Sequence, residues 1–135
     1  MKTYELTDQT INHNGHTLYR IRAIKDIPDI GVNAGDFGGY IEGKKNLQNN
    51  AWVFEDAIVD GNARICEDAI VDGNARVYGN AWVFEDAIVD GNARVFGNAW
   101  VYGNARVFGN ARVFGNAIVD GKARVCEDAI VDGNV

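Results

Sequence analysis

The sequence predicts an all-β fold, a single-stranded parallel β-helix of six-residue repeats behind an N-terminal β-hairpin. Three observations predict it. From Asn50 to Gly133 the chain divides into fourteen blocks of six, from NAWVFE and DAIVDG to a closing DAIVDG. Within each block, small or branched apolar residues alternate with variable ones. Most blocks meet at Gly-Asn or Glu-Asp. Self-similarity at a fixed period marks a repeat architecture.

The consensus block is Asn/Asp, Ala, x, Val/Ile, x, Gly/Glu. Alternation with period two is strand geometry, in which successive side chains point to opposite faces. Ala51, Val53, Ala57, Val59, Ala63, Ile65 and their repeats are therefore expected inside, with the x residues outside. Gly tolerates positive φ, and Asn or Asp can close a local turn. Four strand residues and two corner residues make one block. Three blocks make a triangular coil of eighteen. The period excludes a five-residue repeat helix, and the alternation with regular Gly excludes an amphipathic α-helix.

Upstream the pattern blurs. Residues 38–43 (GGYIEG) and 44–49 (KKNLQN) fit as degenerate blocks, with Ile41 and Leu47 at the aliphatic position. Residues 1–37 do not fit. TYELT or INH, then Asn14-Gly15, then HTLYRIRAI read as a hairpin with a tight turn. The only Pro, Pro28, follows, and IPDIGVNAGDFGG reads as loop. The expected organisation is a cap over 1–37 and a parallel β-helix over 38–135, with degenerate blocks at 38–49 and regular blocks at 50–133. The cap would cover the strand edges of the first coil.

The aliphatic position repeated every six residues resembles the hexapeptide-repeat family, whose fold is the left-handed parallel β-helix. That handedness comes from the resemblance alone, since left-handed crossovers break the usual rule. The order Lys-x-Tyr, Ile-Arg-Ala-Ile, Gly-Asp-x-Gly-Gly-Tyr-Ile-Glu, Asn-Leu, then Asn-Ala-x-Val blocks also resembles uncharacterised bacterial and phage proteins labelled hexapeptide-repeat or acyltransferase-like. This resemblance implies a fold and a bacterial or phage source. It carries function weakly, because such labels rest on fold analogy.

Composition bounds the rest. The chain has 135 residues, enough for one domain, and 16 Gly. Its 47% hydrophobic fraction is rich in Ala and Val, which suits a narrow core. A net charge of −6 and a pI near 4.8 argue against general nucleic-acid binding. No apolar run is long enough to span a membrane, and MKTYELTDQT lacks a signal-peptide core. Cys66 and Cys126 are too few for a disulfide framework. A cytoplasmic location with reduced thiols is expected.

Nothing in the sequence forms a catalytic constellation, and no cofactor is expected. Acyltransferases of the resembling family use a catalytic His, a loop excursion and a C-terminal helix. Here His13 and His16 flank the Asn14-Gly15 turn, no loop interrupts the blocks, and no helix follows. A base without a pocket is not a site. An acetyl-CoA-dependent acyltransferase is the alternative to a structural or binding module. Glu67-Asp68 and Glu85-Asp86 lie one coil apart and form a weak candidate cation site. The simpler reading of these four is corner residues facing water.

The outer positions form rows at eighteen-residue spacing. One face aligns Arg76, Arg94 and Arg112 beside Tyr78, Phe96 and Phe114, with Asp60 and Asp132 at its ends. A second stacks Trp82 on Trp100 and Phe84 on Tyr102. The third mixes Trp52 and Phe54, Ile70 and Ile88 with Asp72 and Asp90, and Arg106 with Phe108. Such rows can stabilise adjacent rungs, form a subunit interface, or bind a small anionic, planar or sugar-like ligand through Arg beside aromatics. The apolar block around Ile130 and Val131 further suggests a homo-oligomer with a C-terminal end-to-end contact.

Overall fold

A computed structural model describes residues 3–133 and shows a parallel β-solenoid extended at its N-terminal end by an antiparallel hairpin. Strands β1 (Tyr4–His13) and β2 (His16–Ala23) form the hairpin. Its turn is Asn14-Gly15, with φ of 53° and 83°. Two consecutive positive φ values are what a two-residue hairpin turn with the right twist requires. Strand β3 (Phe37–Ile41) pairs antiparallel with β2 and parallel with Ile58–Val59. The hairpin therefore continues one face of the solenoid as two added strands.

Thereafter short strands recur every six residues, from Trp52–Val53 to Ile130–Asp132. Each pairs in parallel with the strand one coil away, as Arg94 does with Arg76 and Arg112. Three sheets result. One runs from the hairpin through 58, 76, 94, 112 and 130, one through 64, 82, 100 and 118, and one through 52, 70, 88, 106 and 124. The bore is filled as the alternation requires. Ala51, Val53, Ala57, Val59, Ala63 and Ile65 are fully buried, as are their counterparts through Val113 to within a percent. Ile41 and Leu47 continue that line into the degenerate blocks. With Ala as every second inward residue, the core is one small side chain wide.

Two features depart from the expected pattern. Trp52 belongs by position to an outer row, yet it has no exposed surface. It joins the same buried cluster as Ile27 and Val32. The segment expected as loop is thus ordered. Pro28–Ile30 form a 3₁₀ turn, and Ile27 bridges Val32. This strap covers the first rung of the mixed face, and Ile27 and Ile30 line a groove with Ile70 and Ile88 further along it.

The second departure is Asn46, an outer position that is fully buried. A 3₁₀ turn over Lys44–Asn46 tightens the backbone here. The Asn46 amide donates to the carbonyls of Ala63 (2.8 Å) and Gly61 (3.3 Å). Its oxygen accepts from the N–H groups of Gly43 (2.9 Å) and Glu42 (3.2 Å). The Tyr4 hydroxyl shares its proton between the carbonyls of Leu47 (2.8 Å) and Lys44 (3.1 Å), and burial pushes its pKa up to about 12. Gly39 stands at the inward position of this first coil. A Cβ there would lie 2.5 Å from the Ala57 carbonyl oxygen and 2.6 Å from a Val53 methyl, so only Gly fits.

No helix is long and apolar enough to cross a membrane among the described residues. Asn134 and Val135, at the tip of the expected end-to-end contact, lie outside the described residues.

Candidate functional site

The outer rows form because parallel pairing in register places like positions one strand spacing apart, about 4.8 Å. On the hairpin face Tyr78 stacks on Phe96 and Phe96 on Phe114, each at 4.9 Å between ring centroids and within 4° of parallel. Phe96 is thus covered on both ring faces and turns its edge outward. It offers no free face on which a base or sugar could lie. Arg76, Arg94 and Arg112 run beside these rings in strict register.

The three guanidiniums differ in their partners. Arg76 donates to Asp60 at 3.1 Å, where the Asp60 carboxylate is buried at 2% exposure. The Arg76 guanidinium also lies 4.3 Å from the centroid of the Tyr78 ring. Arg94 and Arg112 are exposed and hold no ion pair among the described residues. They line a groove with Asn92, Asn110, Asp128 and Ile130.

On the second face Trp82 and Trp100 stack at 5.4 Å, and Phe84 and Tyr102 at 4.7 Å. Phe84 meets both Trp rings edge-on. The Arg64 guanidinium covers the other side of Trp82, 5.6 Å from its centroid. Trp82, Trp100 and Ile118 pair in register and are 36%, 42% and 60% exposed. This is an exposed apolar strip on a flat surface. The mixed face holds Arg106, which donates to Asp90 at 2.7 Å and lies over Phe108. Asp90 raises the pKa of Arg106 by hydrogen bond and charge.

The corners carry ladders that sequence reasoning missed. Asn62, Asn80, Asn98 and Asn116 pass amide hydrogen bonds from rung to rung at 3.3 Å. Asn92, Asn110 and Asp128 form a second such line. The consensus Asn was expected to close local turns. Stacked Asn side chains instead bond along the axis, as in other stacked parallel strands. The in-register Asn at the head of successive blocks was the available signal.

Glu67-Asp68 and Glu85-Asp86 lie on adjacent rungs, with the Asp68 N–H bonded to the Glu85 carbonyl at 3.1 Å. All four side chains are exposed, and among the described residues no three acidic, His or Cys groups converge on a metal position. Glu67 and Glu85 take left-handed backbone, with φ near 60°, where Gly103 and Gly121 stand two coils on. These residues are corner replacements for Gly. His16 reaches back to the solenoid, where its Nδ1 lies 2.8 Å from Glu42 Oε2. The other Glu42 oxygen accepts from the Gly61 N–H at 2.8 Å. Glu42 raises the His16 pKa, and the His16 hydrogen bond lowers that of Glu42. Burial pushes up the thiol of Cys66, which is free, as is Cys126.

A family model described as YdcK Beta solenoid repeat matches residues 91–103, 101–112 and 105–121. The matched stretch includes the free Arg94 and Arg112 and the exposed Trp100. No curated protein matches the chain, so no relative's name supports an acyltransferase label. The chain is similar, over its most regular coils, to a known β-solenoid repeat.

Proposed function

We propose that this solenoid is a non-enzymatic assembly module that pairs with a second copy of itself through the face bearing Trp82, Trp100 and Ile118. The observation that carries this reading is the in-register row of three large, exposed apolar side chains on one flat sheet. Contiguous apolar patches of this kind on a protein surface mark association sites. A two-fold contact brings the same patch of both copies together, so one apolar strip can cover another. The stacked rings and edge-on Phe84 make the strip rigid, so little side-chain entropy is lost on contact.

Light scattering on the wild type at micromolar concentrations should show an oligomer. The double variant Trp82→Glu, Trp100→Glu should be monomeric with unchanged β-sheet circular dichroism. A wild-type monomer at high micromolar concentration would overturn the proposal. The acyltransferase alternative makes a different demand, namely saturable heat on titration with acetyl-CoA.

A further inference from the structure

The ion pairs of the solenoid follow a diagonal rule. Arg76 pairs with Asp60 and Arg106 with Asp90, each sixteen residues upstream. That offset reaches from the first outer position of one rung to the second outer position of the rung before. Applied to Arg94 and Arg112, it points to Tyr78 and Phe96. An aromatic ring stands where a carboxylate would neutralise the charge. Two guanidiniums are left exposed and directly opposite one another in a parallel ladder, an arrangement that repels. We infer that Arg94 and Arg112 form an anion-binding step for a ligand carrying two linked oxyanion groups, of which diphosphate is the simplest.

The surroundings fit that class. The Asn92 and Asn110 amides form one wall of the groove, with Asn92 donating to Asn110 at 3.3 Å. Asp128 closes the far end, where it accepts from Asn110 at 3.4 Å, so the anion sits towards Arg94 and Arg112. Guanidinium forks one rung apart can each take one oxyanion through two parallel hydrogen bonds. The chain as a whole is acidic at −6, so the two charges form a local site and not part of a general basic field. Phe96, the ring beside Arg94, is stacked on both faces and offers none to a nucleobase, so recognition here falls to the two guanidiniums.

Calorimetric titration at low salt with pyrophosphate, and separately with orthophosphate, tests this. Pyrophosphate should bind saturably and more tightly than orthophosphate. Arg94→Ala and Arg112→Ala should each weaken pyrophosphate binding about tenfold or more, the effect expected for losing a charge-assisted pair. Arg94→Lys should recover part of it, since the charge remains but the fork is lost. Arg106→Ala, on another face, should leave binding unchanged. Absence of saturable pyrophosphate binding, or wild-type binding by the Arg94→Ala, Arg112→Ala double variant, would overturn the inference. Equal affinity for the two anions would overturn the paired-oxyanion geometry. The oligomeric state should be untouched by either Arg variant, which keeps this test separate from that of the Trp face.

Discussion

In the regular coils the backbone satisfies itself rung upon rung, whereas at one position of the coil beneath the hairpin a side chain does it. The carbonyls of Gly79 and Ala81 receive the backbone N–H groups of Asn62 and Arg64. One coil earlier, the carbonyls of Gly61 and Ala63 receive the side-chain amide of Asn46, because the 3₁₀ turn has drawn its own N–H to Gly43. The same contrast holds for charge. Near the hairpin Arg76 answers a buried Asp60, while further along the same row Arg94 answers nothing. Repetition makes the regular coils tolerant of surface change. The join between two architectures concentrates irreplaceable groups.

The largest expected effect follows from the charge contrast. Arg76→Ala strands a carboxylate that is almost wholly buried, which should cost about 3–5 kcal/mol. Arg94→Ala, one rung away, removes a mutually repelling charge and should leave stability unchanged or slightly raised. Urea denaturation midpoints of the two variants check the pair. Equal losses would mean that the two rungs are not different in kind.

Asn46 sharpens the comparison next. Asn46→Leu leaves two carbonyls and the Gly43 N–H without their partner, at about 1–3 kcal/mol for each buried group left unmet, less whatever water can reach them. Asn80→Ala removes a link from an exposed corner ladder and should stay within about 0.5 kcal/mol. The same denaturation experiment, with both variants at matched slope, reads the difference.

Within the regular coils the sensitive direction is inward. Ala93 is fully buried in a bore one small side chain wide. Ala93→Leu should overpack it and cost about 1–3 kcal/mol. A melting temperature equal to that of the wild type would show that the bore can widen.

These contrasts also mark what a reader of the sequence can see. The alternation placed Ala93 and Val95 inside and aligned Arg76, Arg94 and Arg112, because register in a parallel stack is a matter of counting eighteens. Asn14-Gly15 announced the hairpin turn, because few residue pairs accept two positive φ values. Trp52 was misplaced because its burial belongs to the end of the solenoid where an aperiodic strap adds Ile27 and Val32 to the core, and no period describes that strap. Asn46 was missed because its block looks like a poor copy of the consensus, and the departure is itself the adaptation. The free arginines became visible only once Asp60 and Asp90 showed that pairing runs diagonally. Straight rows of the sequence, read rung by rung, conceal that offset.

The smallest effect lies where the hairpin tip meets the solenoid, and it depends on pH. His16 and Glu42 are both substantially exposed, so their pair is weak and screened by salt. Its sign is nonetheless fixed. The folded His16 pKa is raised above 6.5, so its contribution is complete below pH 6.5 and is lost as pH rises through that higher folded value. The folded Glu42 pKa is lowered below 4.5, so its contribution is complete above pH 4.5 and is lost as pH falls through the lower folded value. The clasp therefore works best between about pH 4.5 and 6.5. His16→Ala should lower the melting temperature most within that window and progressively less above it. Glu42→Ala should keep a penalty at higher pH, because it also removes the acceptor of the Gly61 N–H. If the His16→Ala difference grew on going from pH 6 to pH 8, the histidine would be acting as a neutral packing group and the hairpin would be held by β2 and β3 alone.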